Sequence, residues 1–490
     1  MKFRLGKGTS MDAMALTLIK LVTICLGFLV TRLLSQHLST YDYGTYSQIL
    51  LVVSTVSSLT ILGMMDGVNY FYCSETDECK REAYIATLFS MQCLVSAVVG
   101  SIVLLFRTAI VTAFENPAVE RLLIFAAALP LLQNLLSMLQ ILLVSVGKAR
   151  LIAVRNLIVS LARLAAVVVV VTLVQNVAVI LTVTVLLDLA QIGVFLLILQ
   201  RNHCMIRIRS ADFSLTGQIL QYCVPMAVFT MINALNRDCD KYLIALLTDT
   251  QTLAVYSNAS KVLPFDIIMS SFCTVLLPQI TRLVAAKEKS RATSLYRMFL
   301  EIAYISTTIL CCAALSAAPQ LMELLYSAKY LTGLTVFGIY ILVDLLRFTN
   351  ITLIMSAAGK TKTLMLVGMG ALSANAVLNI LLFRGMGMTG PAVATLLTTF
   401  ATGVLMLHLS ARELGTKIGA FFDVRYLLLF VLENLAAMAV FSGLQKVLVS
   451  KGLSYFTVLV VVCGLYGVTM LLLNGKRMLR GLKEINRAAK

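Results

Sequence analysis

The sequence predicts an all-α polytopic membrane protein with fourteen transmembrane helices, arranged as two six-helix lobes followed by two C-terminal helices. Three observations predict it. The 490 residues are 59% hydrophobic and only 13% charged, about half the charge of an ordinary soluble chain, and mean hydropathy is +0.92. The apolar stretches reach the roughly 20 residues that a helix needs to cross about 30 Å of hydrocarbon. Runs such as Ala165 to Val174, apolar but for Thr172, do not alternate, which excludes a membrane barrel. The same shortage of polar residues excludes a soluble enzyme, a disordered scaffold and a disulfide-stapled secreted domain.

The expected spans are 11–35, 46–72, 83–106, 119–146, 152–174, 176–200, 219–247, 253–281, 293–316, 331–358, 363–384, 389–411, 425–447 and 453–473. The first follows a basic start, Lys2, Arg4 and Lys7. It outruns a signal-peptide core and no A-x-A-like cleavage site follows its apolar run, so it reads as a retained span. Charge bias supports the count, because Lys and Arg collect on the cytoplasmic side. With both termini inside, and cations at the ends of spans counted with the adjoining segments, 27 of the 40 Lys and Arg fall inside, 6 outside and 7 deep within spans. The net charge of +17 is therefore read as the basic side of a multi-pass protein, and no nucleic-acid partner is expected.

Two turns look alike. Ser145-Val146-Gly147-Lys148-Ala149-Arg150 follows span 4 and Ala357-Ala358-Gly359-Lys360-Thr361-Lys362 follows span 10. Their spacing matches the distance between spans 1 and 7, so six helices form one repeat, although two basic turns can also resemble each other by chance. An even number of helices makes the repeats parallel. The domains are then 1–212, 213–418 and 419–490, the last holding spans 13 and 14, outside the repeat, and a basic tail from Lys476 to Lys490 that anchors to headgroups. Gly359-Lys360-Thr361 is not a phosphate loop, since Ile354 stands where the leading glycine is required. The eleven cysteines contain no C-x-x-C pair and the three histidines lie far apart, so no metal site and no catalytic centre is expected.

The seven cations within spans are Lys20 and Arg32 in span 1, Arg163 in span 5, Arg237 and Lys241 in span 7, Lys261 in span 8 and Arg347 in span 10. A charge at the bilayer centre costs roughly 3 kcal/mol, so these groups face protein or water. Six of the seven lie in spans 1, 7, 8 and 10, which points to a basic cavity lined by those helices. Arg237 and Lys241 are four apart and share a helical face. The competing reading is internal pairing at i,i+3: Arg237 with Asp240, Asp238 with Lys241, and Asp344 with Arg347. Arg32 and Lys261 have no acid within four residues and are the better candidates for contacting an anion. Asp66, near the end of span 2, is read as snorkelling to water. Fixed Arg and Lys groups suit a phosphate or pyrophosphate head carried through a membrane.

Several segments resemble one family. Thr31-Arg32-Leu33-Leu34 with Tyr41-Asp42-Tyr43-Gly44-Thr45-Tyr46-Ser47, then Asp240-Lys241-Tyr242-Leu243-Ile244 with Leu253-Ala254-Val255-Tyr256-Ser257-Asn258-Ala259, and finally Asn375-Ala376-Val377-Leu378-Asn379 with Gly387-Met388-Thr389-Gly390-Pro391-Ala392-Val393-Ala394-Thr395, stand in family order. Over nearly its full length the chain resembles the bacterial Wzx-type polysaccharide flippases of the MATE-like MOP exporter superfamily, which also holds lipid II flippases and multidrug MATE exporters. The resemblance implies two lobes around a central cavity, alternating access, and an undecaprenyl-pyrophosphate-linked oligosaccharide as substrate in the bacterial cytoplasmic membrane. The oligosaccharide would be an O-antigen, capsule or similar repeat unit. Membrane lipids, a glycan polymerase and glycosyltransferases are the implied partners. The expected substrate-binding residues are Arg32, Arg237, Lys241, Lys261 and Arg347. Span 1 lacks the intramembrane acid that an exporter of cationic drugs would want.

No cofactor is expected beyond a coupling Na⁺ or H⁺. Likeness to sodium-binding lipid II flippases implies Asp240, Asn375, Asn379 and Thr395 as ion ligands, though only one of the four is an acid. The alternative is that the two asparagines are interhelical hydrogen-bond glue. An ion-coupled exporter of small solutes or drugs and a lipid II flippase remain alternative functions.

Overall fold

A computed structural model describes residues 7–75, 77–146, 149–201, 206–261, 263–266, 276, 279–281, 283–284, 286–347 and 352–488, and every regular element among them is helical. The helices are α1 Lys7–His37, α2 Thr40–Thr60, α3 Met64–Ser74, α4 Glu78–Leu105, α5 Arg107–Phe114, α6 Val119–Ser145, α7 Ala149–Leu173, α8 Val177–Arg201, α9 Thr216–Leu247, α10 Thr250–Ala259, α11 Lys289–Ser316, α12 Ala318–Leu325, α13 Leu334–Leu346, α14 Leu353–Ala357, α15 Thr361–Met386, α16 Thr389–Leu414, α17 Val424–Ser450 and α18 Tyr455–Ala488. The chain divides into two compact units, Met1–Ala254 and Val255–Lys490.

Ten of the described helical stretches are long and apolar enough to cross a membrane, and they correspond to expected spans 3 to 6 and 9 to 14. The other four expected spans, 1, 2, 7 and 8, are not among the ten, so fourteen is not reached by length and composition alone. Two of them are interrupted. Expected span 2 is broken between α2 and α3, where Leu62 and Gly63 take left-handed φ of 43° and 66°. Asn134 of α6 donates to the Ser57 carbonyl at 3.1 Å and to Thr60 Oγ1 at 2.8 Å, satisfying the end of α2. In expected span 8 the helix α10 ends at Ala259, five residues before Pro264, and residues 267–275 and 277–278 of that span lie outside the described residues. Proline cannot donate to the helical ladder and its ring disfavours a helical residue before it. The N–H of Leu263 instead donates to Asp344 Oδ2 at 3.1 Å.

In unit 1, α6 is the central helix. Its Met138, Leu139, Leu142 and Leu143 pack with Met64 and Val68 of α3, Leu88 of α4, Phe195 and Leu199 of α8, and Ile219 and Cys223 of α9. Lipid is as apolar as this core, so tight packing and polar contacts, not hydrophobic burial, decide which faces turn inward; Leu105, Leu173 and Leu472 are left outward-facing and exposed. One polar contact set is a buried knot. Asn116, fully enclosed, accepts from the Tyr41 hydroxyl at 2.6 Å and donates to Thr45 Oγ1 at 2.9 Å and Gln48 Oε1 at 2.7 Å. The Gln48 amide then reaches Thr250 Oγ1 at 3.4 Å. Gly44 makes this closeness tolerable, because a Cβ there would stand 2.1 Å from the Thr250 carbonyl oxygen.

In unit 2 the corresponding centre is α11, the most buried of the ten stretches. Tyr304, Ile305, Ile309 and Cys312 pack against Phe430 of α17 and Tyr466 and Met470 of α18. Expected spans 13 and 14, which lie outside the six-helix repeat, thus pack against α11 in this unit. α18 runs on through the basic tail without a break to Ala488. Arg477, assigned above to headgroups, pairs with Glu301 of α11 and with Asp423 at 2.9 Å, and lies 3.6 Å over the Tyr426 ring. Asp423 caps α17, and the Arg477 hydrogen bond holds its carboxyl below the usual aspartate range. α15 and α16 form a hairpin so close that a Cβ on Gly390 would meet the Leu382 carbonyl at 2.4 Å.

Candidate substrate site and family

The positions of charge on α9 explain its local chemistry. Asp238, with 9% of its side chain exposed, sits between two cations of one helix and a serine of another. Its Oδ1 accepts from Lys241 Nζ at 2.9 Å, and its Oδ2 accepts from Ser54 Oγ of α2 at 3.0 Å. Arg237 Nη2 lies 3.5 Å from the same Oδ2 and 3.4 Å from Ser54 Oγ. One turn further, the Tyr242 hydroxyl donates to the Leu51 carbonyl at 2.9 Å, so α2 and α9 are stitched along a polar seam. Two cations share one buried acid, and the group carries one net positive charge. Arg237 presents it, with 58% of its side chain exposed, against 23% for Lys241.

Pairing on α9 is therefore real, but its partners differ from the i,i+3 expectation. Lys241 pairs with Asp238 as expected. Arg237 pairs with Asp238 and not with Asp240: the long guanidinium folds back over the adjacent carboxylate. Asp240 is buried and its Oδ1 accepts the Lys241 backbone N–H at 2.9 Å.

The other expected binding residues fall into separate places. Arg32 is half-buried on α1, which packs along α7. In unit 2, buried Asp344 forms an ion pair with Arg347 Nε at 3.0 Å while accepting the Leu263 N–H. Lys261 is exposed just beyond the end of α10, not within a helix, because the helix has already stopped. Asp344 thus joins Arg347 to the interrupted segment that carries Lys261. The side chains of Lys20 and Asp66, and residues 147–148 of the first repeat turn, lie outside the described residues.

Of the expected ion ligands, Asp240 belongs to unit 1 and the other three to unit 2. Asn375 Nδ2 of α15 donates to Thr398 Oγ1 at 3.2 Å and lies 3.5 Å from Thr395 Oγ1, both on α16. That is the interhelical glue geometry. Asn379 is fully buried on the same face of α15.

One charged group escaped the sequence reading. Arg155, counted there among loop cations, is in α7, stacks 4.7 Å from the Phe195 ring, and donates to Gln191, whose amide donates to Asp188 Oδ1 at 3.1 Å. The available signal was Asp188-x-x-Gln191, two polar residues one turn apart in an otherwise apolar span. Among the described residues no group of three His, Cys, Asp or Glu could hold a metal ion.

No curated protein matches the sequence. Among solved structures the fold is similar to that of the lipid II flippase MurJ in an inward closed conformation, at 13% identity over 95% of this chain and 100% of that one, with a TM-score of 0.72. It is also similar to the MATE multidrug transporter DinF-BH in complex with R6G, at 13% identity over 85% of this chain and 99% of that one, TM-score 0.59. A MOP superfamily transporter from Pyrococcus furiosus, described as having a binding pocket of reverse polarity, matches at 11% identity over 82% of this chain and 95% of that one, TM-score 0.55. At these identities the likeness is one of fold. Residues 29–334, well over half the chain, match the family described as "Polysaccharide biosynthesis protein", and the chain belongs to that family.

Proposed function

We propose that this protein flips an undecaprenyl-pyrophosphate-linked oligosaccharide across the bacterial cytoplasmic membrane by alternating access, as a fourteen-span protein with both termini inside. Membership in a polysaccharide biosynthesis family carries the reading; the open cation of α9 supports it. Arg237 is held in place by Asp238 and Ser54 while most of its guanidinium stays exposed, which suits a planar donor meant for pyrophosphate oxygens. Arg32 and Lys261 add charge from α1 and from the end of α10, and Lys241 and Arg347 act beside their acids. The protein transports and does no covalent chemistry. Direction comes from a Na⁺ or H⁺ gradient or from consumption of the glycan outside, by a polymerase acting on what glycosyltransferases built inside.

The test is loss of the gene in a glycan-producing host, with the lipid-linked oligosaccharide assayed on each leaflet. Accumulation on the cytoplasmic leaflet, relieved by the wild-type chain and not by Arg237→Gln or Arg32→Gln that still insert, is the expected result. Unchanged glycan with altered tolerance to drugs would replace this reading with that of a small-solute exporter.

A further inference from the structure

A second site lies in unit 1, outside the basic cluster. An open pocket of about 440 Å³ is formed where α3, α4 and the start of α9 meet, a size within the range of roughly 300–1,000 Å³ that small-molecule sites occupy. Its wall is aromatic. The rings of Tyr70 and Tyr222 stack at 4.3 Å, those of Phe71 and Tyr84 stack at 4.5 Å, and Phe71 meets Tyr222 edge-on at 5.9 Å. Tyr70 is 46% exposed, an unusual place for a large ring unless something covers it.

Hydrogen-bonding groups complete the lining. The Tyr84 hydroxyl donates to Gln218 Oε1 at 2.5 Å, which fixes that carboxamide and leaves its two N–H donors for another acceptor. Gln221, one turn of α9 away and exposed, adds a second carboxamide. Glu75 adds a carboxylate whose Oε1 is held by the Asp77 N–H at 3.1 Å. Among the described residues no lysine or arginine lines the pocket.

This composition selects its ligand. A phosphate or pyrophosphate would find no lysine or arginine among the described lining residues. An apolar tail would waste two carboxamides and a carboxylate. A pyranose offers what the walls lack: C–H groups on its faces, which lie against the electron-rich faces of aromatic rings, and equatorial hydroxyls that both donate and accept toward carboxamides and a carboxylate. Position agrees. Tyr222 and Arg237 are fifteen residues apart on one continuous helix, a rise of about 22 Å, which an oligosaccharide of several sugars spans. Lys80 and Arg81 in the first turn of α4 put the pocket at the cytoplasmic end in the proposed topology, where a newly completed glycan arrives.

We propose that the pocket formed by Tyr70, Tyr222, Gln218, Gln221 and Glu75 is a sugar-binding subsite that takes a neutral hexopyranose of the oligosaccharide, remote from its pyrophosphate. The pocket's chemistry stands alone, whereas its role in selecting cargo rests on the flippase reading. The subsite makes the protein selective for glycan length and identity, and leaves charge recognition to Arg237.

The chain contains no tryptophan, so Tyr70→Trp keeps an aromatic platform and supplies a single fluorescent reporter in the full-length protein in nanodiscs. Titration with glucose, galactose, N-acetylglucosamine and rhamnose is expected to change its emission saturably for at least one of them, with apparent affinity at least tenfold weaker when Gln221→Ala and Glu75→Gln are added. No response to any sugar, or a response to a lipophilic aromatic cation alone, overturns the subsite in favour of an empty surface or a cation cage. In vesicles, Tyr70→Ala is expected to raise KM for the oligosaccharide-linked lipid at least tenfold, to leave KM for undecaprenyl pyrophosphate bearing one sugar unchanged, and to be rescued by Tyr70→Phe. Wild-type transport with Tyr70→Ala indistinguishable from it removes the subsite and spares the flippase. A wild-type chain that flips neither lipid removes the flippase, and the fluorescence titration still decides whether the pocket binds sugar.

Discussion

Asp238 holds two cations and a serine at once, and this division of labour lets stability and transport be separated by substitution. Asp238→Ala leaves Lys241 and Arg237 without their shared acid; removing one partner of a buried ion pair costs about 3 kcal/mol or more, so a marked fall in Tm of the purified protein is expected. Arg237→Gln removes a mostly exposed charge. It should change stability by less than about 1 kcal/mol while flipping of the pyrophosphate-linked lipid falls at least tenfold, and equal loss of stability in the two variants would contradict the arrangement. That α9 concentrates charge was legible in the sequence, because an intramembrane Arg-Asp-x-Asp-Lys run has no apolar explanation. The partner of Arg237 was not, because the i,i+3 rule relates Cβ positions whereas a guanidinium on a flexible stem reaches its immediate neighbour. Lys261 was misplaced for a different reason: hydropathy averages over the residues before Pro264 and does not register where the helix stops.

At the level of elements, hydropathy located the uniform helices and failed at the interrupted ones. α6, α8, α15, α16 and α17 begin and end within three residues of the ranges predicted for them, because long apolar runs bounded by polar turns leave little freedom. The α2–α3 break depends on Asn134, which lies far along the chain and whose capping role no local pattern signals. Two consequences are measurable. In Gly44→Ala the new methyl collides with the Thr250 carbonyl, and since overpacking costs up to about 3 kcal/mol, folded yield should drop sharply while Gly27→Ala, which meets nothing, changes little. The Asp423–Arg477 clamp makes a prediction in pH. Its carboxyl is held below the ordinary aspartate value of about 3.9, so the bound form is favoured at any pH above that value and is lost as pH falls below it. Protection factors at the first turn of α17, that is, exchange corrected for its intrinsic pH dependence, should therefore stay high from pH 8 to 5 and fall only toward pH 3, whereas Asp423→Ala should show low protection across the range.

For the whole molecule, the membrane-protein class and the family were readable from composition and motif order, whereas which helix the last two pack against was not, because apolar runs carry no partner signal. A repeat of six leaves α17 and α18 as apparent additions; packing makes them the neighbours of α11. Truncation after Arg425 strips Tyr304, Ile309 and Cys312 of their partners and takes Arg477 from Glu301, so the shortened chain should reach the membrane yet be cleared within one generation, and full retention with unaltered Tm would restore the view of a detachable pair. The buried knot around Asn116 also bears on biogenesis. Gln48 and Thr250 are 202 residues apart, and at about 5–20 residues per second a ribosome needs on the order of 10–40 s to make the second after the first. Throughout that interval the Gln48 amide has the Phe114 carbonyl at 3.5 Å as an acceptor but not Thr250, so the knot stays incomplete until the ninth helix and the start of α10 emerge. Maturation of the first half of this protein is set by the clock of translation, and slowing elongation before residue 250 should prolong its sensitivity to membrane proteases in proportion.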